Sequence, residues 1–284
     1  FRASVYTRGN NPTVAILRKK LAALEGTEDA LVFASGVAAV SAAIISQVKA
    51  GDHIICVKNP YVWTERLLND FLARFGVKTT MVDGTNPENF EKAIQPNTQL
   101  IMLESPNSLN FDLQDVEAIA TLARKHNITT ILDNSYATPL NQQPAKMGVD
   151  IVVHSATKYI TGHSDVVAGA LCASKETIRR IFESEFMTLG GIISPYDAAL
   201  MIRGLRTLPI RMERIAKTTM EVVLFLENHP KVESIIYPFL PAHPQYELAT
   251  KQHKMGSGQF SILLKTTDID QIESFCNQLT RFLM

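Results

Sequence analysis

Seven short apolar runs in the first two thirds of the chain constrain its fold more than any other feature. They cover residues 30–34, 53–57, 78–82, 99–104, 128–133, 150–155 and 168–173. Helical patterns lie between several of them, at residues 12–26, 37–51, 63–76 and 115–127. Buried strands that alternate with amphipathic helices are typical of βαβ units, in which helices cover both faces of a sheet. The pattern therefore predicts an α/β fold, with Gly76 as the stop of one helix.

The pattern changes after residue 173. A long helical region follows, and Pro209 is expected to interrupt it near the middle. A weaker mixture of strands and helices then leads to an amphipathic helix at the chain end. We therefore predict a large domain of residues 1–212 and the beginning of a smaller α+β domain at 213–284.

Composition excludes several classes of function. Lysine plus arginine and aspartate plus glutamate both number 28, so the net charge of zero offers no basic face to nucleic acid or anionic lipid. No apolar run reaches the roughly 18–20 residues that span a bilayer. Three dispersed cysteines form neither a disulfide framework nor a metal-ligand pattern. We expect Cys56, Cys172 and Cys276 to be buried thiols of a cytoplasmic protein.

Lys158 is the strongest candidate for a functional residue. It follows the apolar run 150–155 and precedes a turn that contains Gly162. An α/β sheet places its ligands just beyond the carboxyl ends of strands. A lysine there is suited to form a Schiff base with the aldehyde of pyridoxal 5′-phosphate (PLP). Two flanking hydroxyls, Ser155 and Thr157, are suited to hold a phosphate; the alternative is an ordinary surface lysine.

Asp133 supports the first interpretation. It ends the run 128–133, and an aspartate at a strand's carboxyl end can keep the pyridine nitrogen of PLP protonated, so that the ring absorbs electrons. Alone, the residue is equally compatible with a helix N-cap or a loop. Together, Asp133 and Lys158 on successive strand ends are much more specific.

The segment Ser35-Gly36-Val37 is a candidate phosphate cradle. It lies between a strand and an alanine-rich helix, so that free N–H groups and the positive end of the helix dipole meet an anion there. Its spacing matches neither the dinucleotide-binding glycine fingerprint nor the P-loop. Alone the signal is weak, because Ser-Gly is also a common turn.

Six segments together resemble the Cys/Met-metabolism family of PLP enzymes, which includes cystathionine γ-synthase, cystathionine β- and γ-lyases and methionine γ-lyase. They occur in family order between Tyr6 and Leu208, and they read YTRGNNPT, FASGVAA, ESPNS, DNSYATP, HSATKYITGHSD and GGIISPYDAALMIRGLRTL. The resemblance implies fold type I, the fold of aspartate aminotransferase, with an N-terminal arm that reaches a neighbouring subunit. We expect the chain to be truncated at both ends, with the arginine that binds the substrate carboxylate beyond Met284.

The resemblance assigns roles to residues of the site. Lys158 would be the Schiff-base lysine and proton shuttle, and Asp133 the partner of the ring nitrogen. Tyr61 would stack on the ring and assist the leaving group, and Glu104 would lie close to the cofactor. The phosphate ligands would be Ser35, Gly36, Val37, Ser155 and Thr157.

The resemblance also implies an assembly. Tyr6 and Arg8 match residues that reach the phosphate of the neighbouring subunit. The partner would be a second copy of the chain, in dimers that share active sites and pair into a homotetramer.

Two departures from the family pattern bear on specificity. Relatives often have Tyr-Gly-Gly-Thr where this chain has Tyr61-Val62-Trp63-Thr64, so Trp63 either fills substrate space or packs at a helix start. Many relatives carry Glu-Ser-Pro-Thr-Asn-Pro, and Ser108 here replaces an asparagine near the phenolic oxygen of the cofactor. This form is closer to bacterial cystathionine β-lyases and favours β-elimination.

The implied function is a PLP-dependent carbon–sulfur lyase of transsulfuration. It would release a thiol from cystathionine or a related sulfur amino acid and leave a 2-oxo acid and ammonia. One alternative is γ-replacement, by a cystathionine γ-synthase or a homoserine-ester sulfhydrylase. Another, of a different class, is a PLP-binding protein without catalysis, against which the intact Lys158 and Asp133 argue.

Overall fold

The computed structural model describes residues 6–280 and places the seven predicted strands in one sheet. Each strand lies within one residue of its predicted bounds, so the predicted α/β fold is confirmed. The strands are β1 (Asp29–Phe33), β2 (His53–Val57), β3 (Lys78–Val82), β4 (Thr98–Glu104), β5 (Thr129–Asp133), β6 (Ile151–Ser155) and β7 (Gly169–Ala173).

The order of strands across the sheet is β1-β7-β6-β5-β4-β2-β3. Strands β3, β2, β4, β5 and β6 are parallel, and β7 runs antiparallel to its neighbours β6 and β1. Because β1 thereby points the same way as β6, the carboxyl ends of β1, β2, β4, β5 and β6 share one edge. Most residues of the central strands are buried, as expected for a sheet with helices on both faces.

Helices connect and cover the strands. They are α1 (Pro12–Glu25), α2 (Gly36–Ile45), α3 (Val62–Arg66), α4 (Pro87–Ala93), α5 (Val116–Lys125), α6 (Thr138–Asn141), α7 (Lys175–Ile181), α8 (Met187–Leu189), α9 (Pro195–Glu227), α10 (Tyr246–Gln252) and α11 (Ile269–Asn277). Helix α3 continues as a π-helical segment, Leu67–Phe71, and a 3₁₀ segment, Leu72–Phe75. This helical run ends at Gly76 in the left-handed conformation, which confirms the predicted stop.

The prediction that Pro209 interrupts the long helix is wrong. Helix α9 runs through Pro209 without a break over 33 residues. A proline removes one hydrogen bond and crowds the carbonyl four residues before it, which is a local cost. The buried side chains of Leu208 and Met212 hold the helix against the core on either side and offset that cost. The proposed boundary at residue 212 lies inside this helix, and the division into two domains stays a prediction.

A second hydrophobic cluster lies beyond the sheet. It includes Tyr237, Phe239, Leu240 and Ala249, together with Leu113 from the loop after β4. An antiparallel pair of strands, β8 (Val232–Ile236) and β9 (Ser261–Leu264), belongs to the same C-terminal region. The weaker α+β pattern of the sequence is thus confirmed.

Two of the three cysteines behave as expected. Cys56 and Cys172 are buried in β2 and β7, whereas Cys276 on α11 is partly exposed, so the expectation of burial is wrong for that residue. Within residues 6–280, no helix combines the length and the apolarity needed to cross a bilayer.

Two glutamine side chains tie the C-terminal region to the loop after β4. The Gln245 amide accepts a hydrogen bond from the N–H of Leu113 (2.9 Å) and donates one to its carbonyl (2.8 Å). The buried Gln252 amide accepts from the N–H of Val116 (2.8 Å) and donates to the carbonyl of Gln114 (2.9 Å). Each side-chain amide thus forms the pair of hydrogen bonds, one accepted and one donated, that a neighbouring strand would otherwise form with this backbone.

Replacing Gln252 with leucine should destabilise the protein. The substitution keeps the volume but leaves two buried backbone groups without partners, at about 1–3 kcal/mol for each. We expect the free energy of unfolding to fall by about 2–6 kcal/mol in urea titrations. The exposed Gln271→Leu is the matched control and should change it by less than about 0.5 kcal/mol. Equal stability of the two variants would contradict the role of Gln252.

Candidate active site

Five loops meet at the edge of the sheet where β1, β2, β4, β5 and β6 end. In this arrangement an α/β sheet gathers its functional side chains at one edge. Nine of the predicted site residues lie in these loops, at the strand ends or at the start of α2: Ser35, Gly36, Val37, Tyr61, Glu104, Asp133, Ser155, Thr157 and Lys158.

Asp133 is the last residue of β5, and its carboxylate is buried. One oxygen, Oδ1, accepts hydrogen bonds from the N–H (2.9 Å) and the hydroxyl (2.5 Å) of Ser135. The same hydroxyl accepts from the N–H of Ser155 (2.6 Å), so that a short chain of hydrogen bonds joins the ends of β5 and β6. Burial raises the pKa of Asp133, and the bonds from Ser135 oppose that rise. The other oxygen, Oδ2, has no hydrogen-bond partner among the described residues and is available to a donor.

Glu104 ends β4 and is the register partner of Asp133. Its Oε2 accepts from the N–H of Tyr61 (2.7 Å), and its Oε1 accepts from the Ser108 hydroxyl (2.6 Å). Burial, and then the charge of Asp133, raise the pKa of Glu104 to about 7. Two neighbouring carboxylates therefore make this edge acidic.

Lys158 lies in the turn that follows β6. Its backbone N–H bonds the carbonyl of Ser155 (3.2 Å), and its carbonyl accepts from the N–H of Gly162 (2.9 Å). The side chain is exposed and makes no hydrogen bond or ion pair within residues 6–280. Its amine is therefore free to react.

The amino end of α2 forms the predicted anion cradle. The Ser35 hydroxyl caps the helix by accepting from the N–H of Ala38 (3.1 Å). The N–H groups of Gly36 and Val37 have no acceptor among the described residues. A Cβ at Gly36 would lie 2.8 Å from the Cα of Ser155, so only glycine allows α2 to begin this close to β6.

Thr157 differs from the other predicted phosphate ligands. Its hydroxyl donates to the carbonyl of Ala168 (3.2 Å) and accepts from the N–H of the same residue (3.0 Å). The hydroxyl hydrogen thus braces the loop before β7. Of the two hydroxyls beside Lys158, that of Ser155 is the one without such a bond.

Tyr61 and Trp63 both present aromatic surface to solvent. Tyr61 is 42% exposed and precedes α3, where its own N–H bonds Glu104. Trp63 is 51% exposed, with the Arg66 guanidinium stacked over its ring at 5.2 Å. Neither ring is committed to the core.

These groups fit PLP. The unpaired N–H groups of Gly36 and Val37 at the end of a ten-residue helix suit its phosphate. The free Oδ2 of Asp133 suits the ring nitrogen, and the free amine of Lys158 suits the aldehyde. These groups therefore suit the phosphate, the ring nitrogen and the aldehyde of the cofactor.

The segment that contains Tyr6 and Arg8 has contacts of another kind. Both side chains are exposed, and the Arg8 guanidinium donates to the carbonyl of Met187 (2.8 Å) and lies 5.5 Å from the centre of the Tyr6 ring. These contacts leave their role toward a neighbouring subunit as a prediction.

Sequence reasoning missed several supporting residues. Ser135, which holds Asp133, lies two residues after it, and a serine at that spacing is a common local partner of an aspartate. A buried pair behind the site was also missed: His154 Nε2 lies 2.6 Å from Glu25 Oε1, which also accepts from the Asn134 amide (3.0 Å). No local signal in the sequence connects Glu25 with His154, 129 residues away.

Comparison with known proteins identifies the family of the chain. A model of the family described as Cys/Met metabolism PLP-dependent enzymes matches residues 2–284. The chain belongs to this family.

Named relatives come from different branches of the family. The chain is 44% identical to the L-methionine γ-lyase of Treponema denticola (92% of this chain, 66% of that protein). It is also 44% identical to a probable cystathionine γ-synthase of Herpetosiphon aurantiacus (92% and 81%). The crystal structure of metB from Corynebacterium glutamicum matches with a TM-score of 0.96 and 36% identity (100% of this chain, 73% of that one). The chain spans about two thirds of the length of the methionine γ-lyase.

The raised pKa of Glu104 predicts a pH dependence of stability. Between its ordinary value of 4.5 and about 7, folded Glu104 keeps a proton that the unfolded chain has lost. The free energy of unfolding therefore falls as pH rises across this window, with a slope of up to about 1.4 kcal/mol per pH unit. In the cofactor-free protein, Glu104→Gln should flatten this slope in urea titrations from about pH 5 to pH 7. The exposed Glu88→Gln should keep the slope of the unaltered protein, and equal slopes in all three would contradict the prediction.

Proposed function

We propose that the protein is a PLP-dependent carbon–sulfur lyase of sulfur amino-acid metabolism. It takes cystathionine or a related amino acid and, with water, releases a thiol, a 2-oxo acid and ammonia. One observation carries the proposal. The buried Asp133 carboxylate ends β5, and the free Lys158 amine lies in the turn that follows the adjacent parallel strand β6. A cytoplasmic location is part of the proposal and agrees with the unpaired cysteines.

The site residues then have distinct tasks. When bound, PLP supplies an aldehyde that captures amines and a ring that withdraws electrons from the Cα of the substrate. Lys158 is the amine that anchors the cofactor and the base that moves the Cα proton. Asp133 holds a proton on the ring nitrogen by its charge, and Tyr61 is suited to stack on the ring. The N–H groups of Gly36 and Val37 bind the phosphate.

The position of the broken bond is the finer part of the proposal. The Glu104-Ser105-Pro106-Asn107-Ser108 segment favours cleavage at Cβ, whereas the relative from Treponema denticola is named a γ-lyase. Cystathionine distinguishes the two, because β-cleavage gives homocysteine and pyruvate while γ-cleavage gives cysteine and 2-oxobutyrate. The proposal includes a role for Trp63 in this choice, supported by its exposed ring two residues after Tyr61.

A second candidate function is γ-replacement, in which a thiol forms a C–S bond at Cγ of a homoserine ester and the acyloxy group leaves as a carboxylate. The relative from Herpetosiphon aurantiacus, a probable cystathionine γ-synthase of which the chain covers 81%, supports it. Lys158 and Asp133 would have the same tasks in both reactions, so these residues do not separate the two.

The proposal includes active sites that are shared between two subunits, in a dimer that pairs into a tetramer. Arg8 lies in an exposed segment ahead of α1 and has a planar guanidinium that suits a phosphate. Its bond to the neutral backbone carbonyl of Met187 is a single exposed hydrogen bond, which the charged phosphate of a neighbouring subunit would outcompete.

Product analysis of the complete protein tests the function. We expect equal amounts of 2-oxo acid, ammonia and sulfur product from the substrate that is cleaved, the sulfur product being a thiol from cystathionine or methionine and hydrogen sulfide from cysteine. Lys158→Ala should abolish turnover, and Asp133→Asn should lower kcat by about 100-fold because an amide lacks the charge that holds the ring proton. Lys175→Ala is the matched control, because this lysine also follows a strand of the sheet and is exposed.

The outcome that would contradict the assignment is specific. It is a borohydride-reduced adduct on a lysine other than Lys158, or normal turnover by Lys158→Ala. Faster formation of cystathionine from cysteine and an acylated homoserine would instead establish γ-replacement.

A mixing experiment tests the shared site. Arg8→Ala and Lys158→Ala should each be nearly inactive, and dissociating and reassociating them together should restore activity. In a mixed dimer, one site combines both lesions while the other takes an intact Lys158 and an intact Arg8 from opposite chains. Verified mixed dimers without recovered activity would show that Arg8 serves its own subunit.

A further inference from the structure

The backbone turn after β6 decides where the Lys158 amine can reach. The side chain has no hydrogen bond to any described residue, so its own contacts do not fix it. What is fixed is the turn, closed by bonds from Thr161 N–H to the Ala156 carbonyl (3.0 Å) and from Gly162 N–H to the Lys158 carbonyl (2.9 Å). Whatever holds this turn therefore holds the lysine.

Helix α9 lies directly on the turn. A Cβ at Gly204 would lie 2.3 Å from the carbonyl oxygen of Thr161 and 2.9 Å from that of Ile160. A Cβ at Gly162, which has a φ of 68°, would lie 2.0 Å from a guanidinium nitrogen of Arg211. Gly204 thus allows the helix backbone to contact the backbone of the turn, and Gly162 allows the Arg211 guanidinium to lie against the turn.

Arg211 bonds both partners at this contact. Its Nη1 donates to the carbonyl of Tyr159 in the turn (2.8 Å). Its Nη2 donates to the Gly204 carbonyl (3.1 Å) and its Nε to the Thr207 hydroxyl (3.1 Å), both on α9. A planar guanidinium with five donors can hold helix and turn together, whereas a lysine ammonium lacks this fork geometry.

The residue next to Lys158 is held from a second side. The Tyr159 hydroxyl accepts a hydrogen bond from the N–H of Gly258 (3.0 Å) in the C-terminal region. With its carbonyl bonded to Arg211 and its hydroxyl to Gly258, Tyr159 has little freedom to move. Because one peptide bond joins Lys158 to Tyr159, the movement of the Lys158 backbone is restricted as well.

We propose that Arg211 is a positioning residue for Lys158. It fixes the turn from α9, so that the Lys158 amine meets the cofactor and the Cα of the substrate at a constant position. The inference rests on the proposed function of Lys158, and it gives Arg211 a part in the reaction without contact with the reacting atoms.

The test compares Arg211→Met with Arg203→Met in the complete, PLP-loaded protein. Arg203 is the matched control, because it lies on the same helix and bonds Asp165 near the same turn (2.9 Å) through an exposed pair. Such exposed pairs contribute little. Thr207→Val is a milder variant that removes one anchor of Arg211 and should act in the same direction with a smaller effect.

We expect three changes in Arg211→Met that are absent in Arg203→Met. Amide hydrogen exchange in residues 156–162 should become at least about 10-fold faster, because the turn loses its anchor. The fraction of cofactor trapped on Lys158 by borohydride should fall. Turnover should fall by about 100-fold with a smaller change in KM, since a displaced amine affects the chemical step more than binding.

The inference would be overturned if folded Arg211→Met matched Arg203→Met in all three measurements. It would also be overturned if amide exchange became faster along all of α9 while exchange in the turn stayed unchanged. If Arg211→Met does not fold, Thr207→Val decides by the same criteria. If the unaltered protein carries PLP on Lys158 but cleaves no sulfur amino acid, the proposed substrate fails, while exchange and trapping still decide the role of Arg211. If it carries no PLP on Lys158, the proposed function and this inference fail together.

Discussion

The contact between the amino end of α2 and strands β6 and β7 is the constraint on which the site depends. A Cβ at Gly169 would lie 2.1 Å from the carbonyl oxygen of Ser35, and a Cβ at Gly36 would meet the backbone of Ser155. Only glycine at both positions allows the first residue of α2 to contact the two strands. The positive end of the helix dipole and two free N–H groups therefore lie beside the turn that carries Lys158.

The electrostatics of this edge favour a cationic ring. Parallel register brings Glu104 and Asp133 side by side, and burial raises the pKa of both carboxyl groups. Without a positive partner, ionising both is costly. In the role proposed for Asp133, a protonated ring nitrogen offsets that cost, so ionisation of Asp133 and binding of the cofactor favour each other.

The sequence predicted the elements that depend on local pattern. Continuous apolar runs located all seven strands of the main sheet, and from their ends followed the placement of Lys158, Asp133 and Gly36. The helix break predicted at Pro209 was wrong. The cost of one proline is local, and the packing of Leu208 and Met212 that offsets it is not visible in the sequence. The role of Arg211 was equally hidden, since its partner Tyr159 lies 52 residues away and only the fold brings the two together.

The glutamine ties between the C-terminal region and the loop after β4 bear on how such chains can diverge. Gln245 and Gln252 complete the hydrogen bonding of backbone at Leu113, Gln114 and Val116. These bonds involve backbone groups on one side only, so they place almost no demand on the side chains of the loop. Recombination between related genes can therefore keep these four bonds while the loop changes, provided that the buried side chains of Leu113 and Val116 stay apolar. A crossover between this loop and residue 245 yields a well-paired chimera only when the donor also carries amides at both glutamine positions.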